Sequence, residues 1–233
     1  MNRLVCVGDG FAHGHIWPEW PQMLSALASD RETITISGVG AGNEFLINGL
    51  LHQRPYEDVV VFQWADPDRF DKIIQDDQWR TLGLQDDTYH FNFYQQGPHT
   101  WWLSSASINS HVRQYHDFYV QSQQSAQRME DYKTLLKGYL SSRKNYYIEI
   151  STQGQEVFSR QTRFAHLRGH EVQPSPAIHL AYIEEIILPA LPFAVDVARL
   201  DRLRASINDC QWTAYDPDRN QTWQDIINNL DTA

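Results

Sequence analysis

Asp9 is the first residue of this sequence with an evident capacity for chemistry. It stands between Gly8 and Gly10, directly after an apolar run that ends at Val7. A carboxylate in such a turn can bind a cation, accept hydrogen bonds from a sugar, or act as a nucleophile; it can equally cap the segment that follows. His13 and His15 flank Gly14 in the same loop. Together with Asp9 and Asp66 they offer ligand types suited to a metal, yet His-x-His in a loop is a common incidental spacing. No metal and no other cofactor is expected. The segment GVGAGN brings Gly40 and Asn43, and Asn43 can hydrogen-bond a ligand or cap a helix beginning at Glu44. Trp64, Asp66, Asp68 and Arg69 follow in one cluster that suits carbohydrate or peptide contact; Arg69 paired with Asp66 or Asp68 would only shape the loop. Further along stand His170, Glu171, Gln173, Ser175 and His179. A general base must titrate near neutral pH within reach of the group it deprotonates. His179, at a helix start, is either such a base or a structural histidine, and Ser175 reads as a cap or turn residue.

A parallel sheet is the element that can gather these residues. Residues 3–7 (RLVCV), 33–37 (TITIS), 59–64 (VVVFQW) and 145–151 (NYYIEIS) read as strands. The run of β-branched and aromatic residues from Val59 indicates burial on both faces, as in a parallel sheet. Helical spacing appears at Trp20, Met23, Leu24 and Leu27, in NEFLINGLLHQ, across Ser107–Ser141, in IHLAYIEEIILPAL, and in TWQDIINNL near the end. Residues 66 to about 105 read as irregular and polar with many aromatics. The order strand, helix, strand, helix, strand, insertion, strand, helix predicts a three-layer α/β/α sandwich. Its sheet is parallel and flavodoxin-like, and a helical, aromatic-rich insertion spans about 75–145 of a single domain covering 1–233. In such sheets ligands lie beyond the carboxyl ends of the strands. The turns at Gly8–Gly10, Gly38–Asn43 and Trp64–Asp68 should therefore meet at one edge.

Four blocks in that order resemble the SGNH (GDSL-type) hydrolase superfamily, and more closely its small phage-associated members. The first block, roughly Gly-Cys-Ser-Phe-Thr-x-Gly followed by Trp-Pro, is similar to Gly8-Asp9-Gly10-Phe11-Ala12-His13-Gly14 with Trp17-Pro18 and Trp20-Pro21. The second is matched by GVGAGN and the third by Trp64 with Arg69. The last, Asp-x-x-His-Pro or Asp-x-His-Pro before a helix, is similar to His170-Glu171-Val172-Gln173-Pro174. The resemblance implies a serine nucleophile at position 10 and a histidine base at 173, but glycine and glutamine stand there. Glycine supplies no oxygen, and glutamine cannot accept and return a proton. The acid that orients the base aligns with His170 or Glu171. The family's oxyanion-donating asparagine is not evident; Ala65 or Asp66 stands nearby, and an ionised Asp66 would repel an oxyanion.

Composition removes several function classes. The net charge is −10 without any Lys/Arg run, so a nucleic-acid partner is not expected. The apolar run from Ile183 to Val197 is broken by Pro189 and Pro192 and is too short to span a membrane. The start MNRLVCVGDG is too soon interrupted for a signal peptide. Cys6 and Cys210 imply no disulfide framework and a reducing compartment. GVGAGN lacks a phosphate-loop lysine, and the first glycine turn lacks the third glycine of the dinucleotide pattern.

Aromatic residues crowd the insertion: Trp79, Tyr89, Phe91, Phe93, Tyr94, Trp101, Trp102, Tyr115, Phe118 and Tyr119. They form either its core or an interface; the interspersed Asn92, Gln95, Gln96 and His99 favour contact with a protein or a carbohydrate. The expectation is a degenerate, non-catalytic hydrolase-fold protein that binds through Asp9, Gly10, Gly40, Asn43, Trp64, Asp66 and Arg69. The resemblance adds a phage structural or host-interaction role, in the host cytoplasm or the virion. A homo-oligomer is compatible with the sequence. The alternative is a divergent esterase or deacylase using Asp9, His13, His179 or Glu171 in displaced roles.

Overall fold

A computed structural model of the chain describes residues 3–9, 12, 18–38, 40–67, 69–74, 92–96, 99–104, 122–151, 175–209 and 219–231. In chain order the elements are β1 (Arg3–Gly8), α1 (Trp20–Leu27), β2 (Glu32–Ser37), α2 (Asn43–Gln53), β3 (Val59–Trp64), β4 (Phe70–Ile74), β5 (Asn92–Gln96), β6 (His99–Ser104), α3 (Ser122–Ser142), β7 (Tyr146–Ser151), α4 (Pro176–Tyr182), α5 (Val197–Asp209) and α6 (Arg219–Asp231). A π-helical turn, Ile183–Ile187, and a 3-10 turn, Leu188–Ala190, extend α4.

β2, β1, β3 and β7 form a parallel sheet in that order, the strand arrangement of flavodoxin-like folds. Side chains alternate across each strand, and the two faces build separate cores. Leu4, Cys6, Val59, Val61, Ile148 and Ile150 pack with residues of α1, α4, α5 and α6. Val5, Val7, Val60, Phe62 and Trp64 pack with residues of α2 and α3 and with Trp101. The chain is thus a three-layer α/β/α sandwich, as its strand and helix pattern predicts. Every residue of β3 is buried, because β3 lies inside the sheet with a helical layer on each side.

The insertion differs from a purely helical one. α3 lies within its C-terminal part, while residues 75–91 and 105–121 fall outside the described residues. β5 and β6, which lie between these stretches, join β4 just before the insertion in an antiparallel three-stranded sheet of order β4-β6-β5. The runs NFYQQ and HTWWLS on either side of Gly97-Pro98 in the sequence mix polar and aromatic residues without the clean alternation that marks a hairpin. Trp101 of β6 is buried edge-on against Phe45 of α2, centroids 5.9 Å apart at 80°, and Gly49 of α2 leaves the space that Gln96 fills. At the amino edge Asp58, wholly buried, accepts hydrogen bonds from the Arg3 amide at 3.0 Å and its guanidinium at 2.7 Å, which joins the starts of β1 and β3.

Candidate functional site

β1 ends at Gly8, and the turn is closed by the Ala12 amide donating to the Asp9 carbonyl at 2.9 Å. The Asp9 side chain points inward and is only 2% exposed. Gln63 Nε2 donates to Asp9 Oδ1 at 2.5 Å, and Arg69 donates from its guanidinium to Oδ2 at 2.9 Å. Gln63 Oε1 in turn accepts the Trp20 indole N–H at 2.8 Å. An indole nitrogen can only donate, so it fixes which end of the Gln63 amide faces Asp9. The result is a buried chain from Trp20 through Gln63 to a carboxylate neutralised by Arg69. Isolated, that carboxylate would be costly to bury; with a cation and an amide donor it is tolerated.

Gly8 makes room for this arrangement. A Cβ there would lie 2.6 Å from the Ala12 Cβ and 3.1 Å from Gln63 Oε1. Gly8→Ala is expected to destabilise the protein by about 1–3 kcal/mol, the usual range for overpacking a core. Gly138→Ala in α3, where nothing lies within 4 Å of the added methyl, is the matched control and should stabilise by roughly 0.5–1 kcal/mol. Paired thermal melts measure the contrast.

Asn43 is not the cap of α2 that the sequence suggested. The N-cap position of α2 is Gly42, and Asn43 is the first helical residue. Its Oδ1 accepts the Ala65 amide at 2.9 Å and its Nδ2 donates to the Ala65 carbonyl at 3.3 Å, which binds the β2–α2 turn to the end of β3. The α2 amides are met instead by Asp71 of β4, whose two oxygens accept from Gly42 N and Phe45 N at 2.8 Å each. Burial, reinforced by the Glu44 charge and opposed by those amides and by Arg69, pushes the Asp71 carboxyl up to about 7. Gly40 sits at φ 76° in the same turn, a conformation that favours glycine.

Trp64 is a core residue rather than a cleft residue: it is 3% exposed, packs on the face covered by α2 and α3, and donates its indole N–H to the Tyr147 hydroxyl at 3.2 Å. Asp66 is exposed. Arg69 bridges to Asp9 by its side chain, while its amide donates to the Asp66 carbonyl at 3.0 Å. A cleft at this edge is lined by Asn43, Glu44, Pro67, Arg69, Arg128 and Tyr132 among others, but its volume is about 10 Å³, room for one water. Its charges are matched internally: Glu44 accepts the Tyr132 hydroxyl at 2.9 Å and lies 3.7 Å from Arg128. Burial first, then Glu44, raise the Tyr132 phenol to about 12.

His179 lies in α4, 1% exposed, and its Nδ1 has no hydrogen-bond partner among the described residues. Burial alone lowers its pKa to about 3, so it stays neutral and is ill suited to take a proton. Ser175 holds the N-cap position of α4, though only its carbonyl is engaged there, accepting from Ile178 N at 2.9 Å and His179 N at 3.1 Å. Tyr182, fully buried, has its phenol pKa raised, by burial first and by the Asp9 charge second. Gly10, His13, His15, Asp68, His170, Glu171 and Gln173 lie outside the described residues. Among the described residues no group of three metal-ligating side chains is gathered, and no helix is long and apolar enough to cross a membrane.

Two participants, Gln63 and Asp71, are not singled out by the sequence motifs, and Trp20 enters them only through a Trp-Pro pair and a helical face. Gln63 nevertheless carries a signal, as the one polar residue in the otherwise apolar run VVVFQW, where burial obliges it to find partners. Fold and site together define an α/β protein whose open parallel sheet bears a buried Trp-Gln-Asp-Arg network at its carboxyl edge. No family model, curated protein or solved structure matches the chain.

Proposed function

We propose that this chain is a non-catalytic binding protein on a scaffold of the SGNH-hydrolase type, which engages a protein or glycan partner at the carboxyl edge of its sheet. The observation that carries the reading is the commitment of Asp9. Its oxygens are held by Gln63 and Arg69, and a buried, paired carboxylate has little nucleophilicity to offer. The histidine nearest in role, His179, has a pKa of about 3, far from that of an effective base. A hydrolase-like frame that offers no activated oxygen among its described residues supports a binding role, since activity resides in sites and not in folds. By the resemblance, the setting is a phage structural or host-interaction protein, in the host cytoplasm or the virion.

Purified protein should neither hydrolyse short-chain p-nitrophenyl esters above the buffer rate nor become labelled by a fluorophosphonate. Turnover that disappears in Asp9→Ala or His179→Ala would overturn the proposal in favour of a divergent esterase. The double substitution Gly10→Ser with Gln173→His tests the scaffold itself, and is expected to confer ester hydrolysis that the parent lacks.

A further inference from the structure

On the face of the sheet covered by α1, α4, α5 and α6, a cavity of about 330 Å³ opens between α1, α5 and α6. It shares no residue with the cleft at Arg69. Part of its lining is apolar, from Trp223 and Ile227 of α6 and Ala26 of α1. The remainder is polar: Gln22 and Ser25 of α1, Ser29 just beyond its end, and Asp231 at the end of α6. Arg199 is fully engaged in holding this frame. Its Nε donates to the Ala26 carbonyl at 2.6 Å and NH1 to the Leu230 carbonyl at 3.2 Å, while NH2 meets Asp231 Oδ1 at 2.7 Å. Gln22 Oε1 accepts the Glu19 amide at 3.3 Å, which leaves Nε2 as the donating end of that side chain.

We propose that this cavity is a binding site for the neutral ring of a saccharide. Its size falls in the lower part of the range of small-ligand sites, which combine apolar walls with a few placed polar groups. An indole face suits the C–H surface of a pyranose. Two hydroxyls, an amide donor and an oriented carboxylate suit its alternating hydroxyl groups, and a carboxylate acceptor gives the stronger, charge-assisted kind of hydrogen bond. A cationic ligand gains little, because Arg199 already meets the Asp231 charge. An anionic ligand meets that carboxylate, and among the described residues lining the cavity the single cation, Arg199, is already paired with it. The site is independent of the carboxyl-edge reading.

The test is titration of the intact chain with glucose, galactose and N-acetylglucosamine, followed by saturation-transfer NMR and calorimetry. Glucosamine and glucuronate serve as cationic and anionic counterparts. At least one neutral sugar should bind saturably and more tightly than either charged counterpart. Trp223→Leu and Asp231→Asn should each weaken that binding about tenfold, or about 1.4 kcal/mol. Ser29→Trp, at an exposed position, should block the cavity without lowering the melting temperature, which separates occlusion from unfolding. The proposal fails if no neutral sugar binds at its solubility limit, if a charged counterpart binds best, or if binding survives undiminished in folded Ser29→Trp.

Discussion

Arg69→Met is expected to destabilise the protein by about 3 kcal/mol or more, within the range for breaking a buried ion pair by removing one partner. The Arg69 and Asp9 side chains are 18% and 3% exposed, so water cannot readily replace the lost guanidinium. Asp9 would keep the Gln63 amide on Oδ1, but Oδ2 would lose the Arg69 guanidinium. The penalty is therefore that of a buried carboxylate deprived of its Arg69 cation, not the intrinsic strength of one ion pair. A second substitution distinguishes the two. Asp9→Asn in the Arg69→Met background removes the stranded charge, and the double variant should recover part of the loss. Urea denaturation of the four proteins gives the coupling free energy directly. If the single and double variants are equally destabilised, the buried charge is not what makes Arg69 necessary. The same cycle bears on function, because a carboxylate that can be neutralised without loss of binding is part of the frame and not of the contact surface.

The four strands of the parallel sheet were legible because each is a short segment rich in β-branched or aromatic residues, a continuous apolar run in β1 and β3 and an alternating one in β2. β3 shows the point most clearly: VVVFQW can be accommodated only inside a sheet covered on both faces, and it lies there. α5 was not legible. Asp201, Arg202 and Arg204 interrupt its stripe of Leu200, Leu203 and Ile207, and one of its buried positions is an arginine, Arg199, whose partners lie on α1 and α6. β4, β5 and β6 were hidden for a related reason. Their inward side is set by α2, through contacts such as Trp101 on Phe45, and no local alternation announces that. At the site, the sequence placed Asp9, Asn43 and Arg69 near one sheet edge, where they are found. It did not foresee the Arg69–Asp9 pair or the Asn43–Ala65 bonds, because these partners are far apart in sequence: Asp9 is separated from Arg69 by 60 residues and Ala65 from Asn43 by 22. Hydrogen-bond pairing over such distances follows from packing, which motif order alone does not specify.

Asp71→Ala is expected to cost about 2–4 kcal/mol, from the loss of a helix cap together with two buried amides left without an acceptor. Asp71 belongs to the inserted sheet, whereas the amides it receives, Gly42 and Phe45, belong to the start of α2. It is thus the tie between the insertion and the edge that carries Asn43 and Arg69. Its titration gives a second, independent readout. The carboxyl is raised to about 7 in the folded protein, chiefly by burial, against about 3.9 in an unfolded chain. Between those values the folded state holds a proton that the unfolded state has released, so this group's contribution to stability is complete below about pH 4 and is lost as pH rises through about 7. Glu44 widens this pH window and Arg69 narrows it. The limiting slope for one proton is about 1.4 kcal/mol per pH unit. Asp71→Asn keeps one acceptor oxygen but cannot ionise. It should be less stable than the parent at acidic pH and should lack the parent's decline across this window. Urea midpoints measured from pH 4 to pH 8 for both proteins decide it: parallel curves would mean that Asp71 does not titrate there, and that the helix amides, not burial, govern its charge.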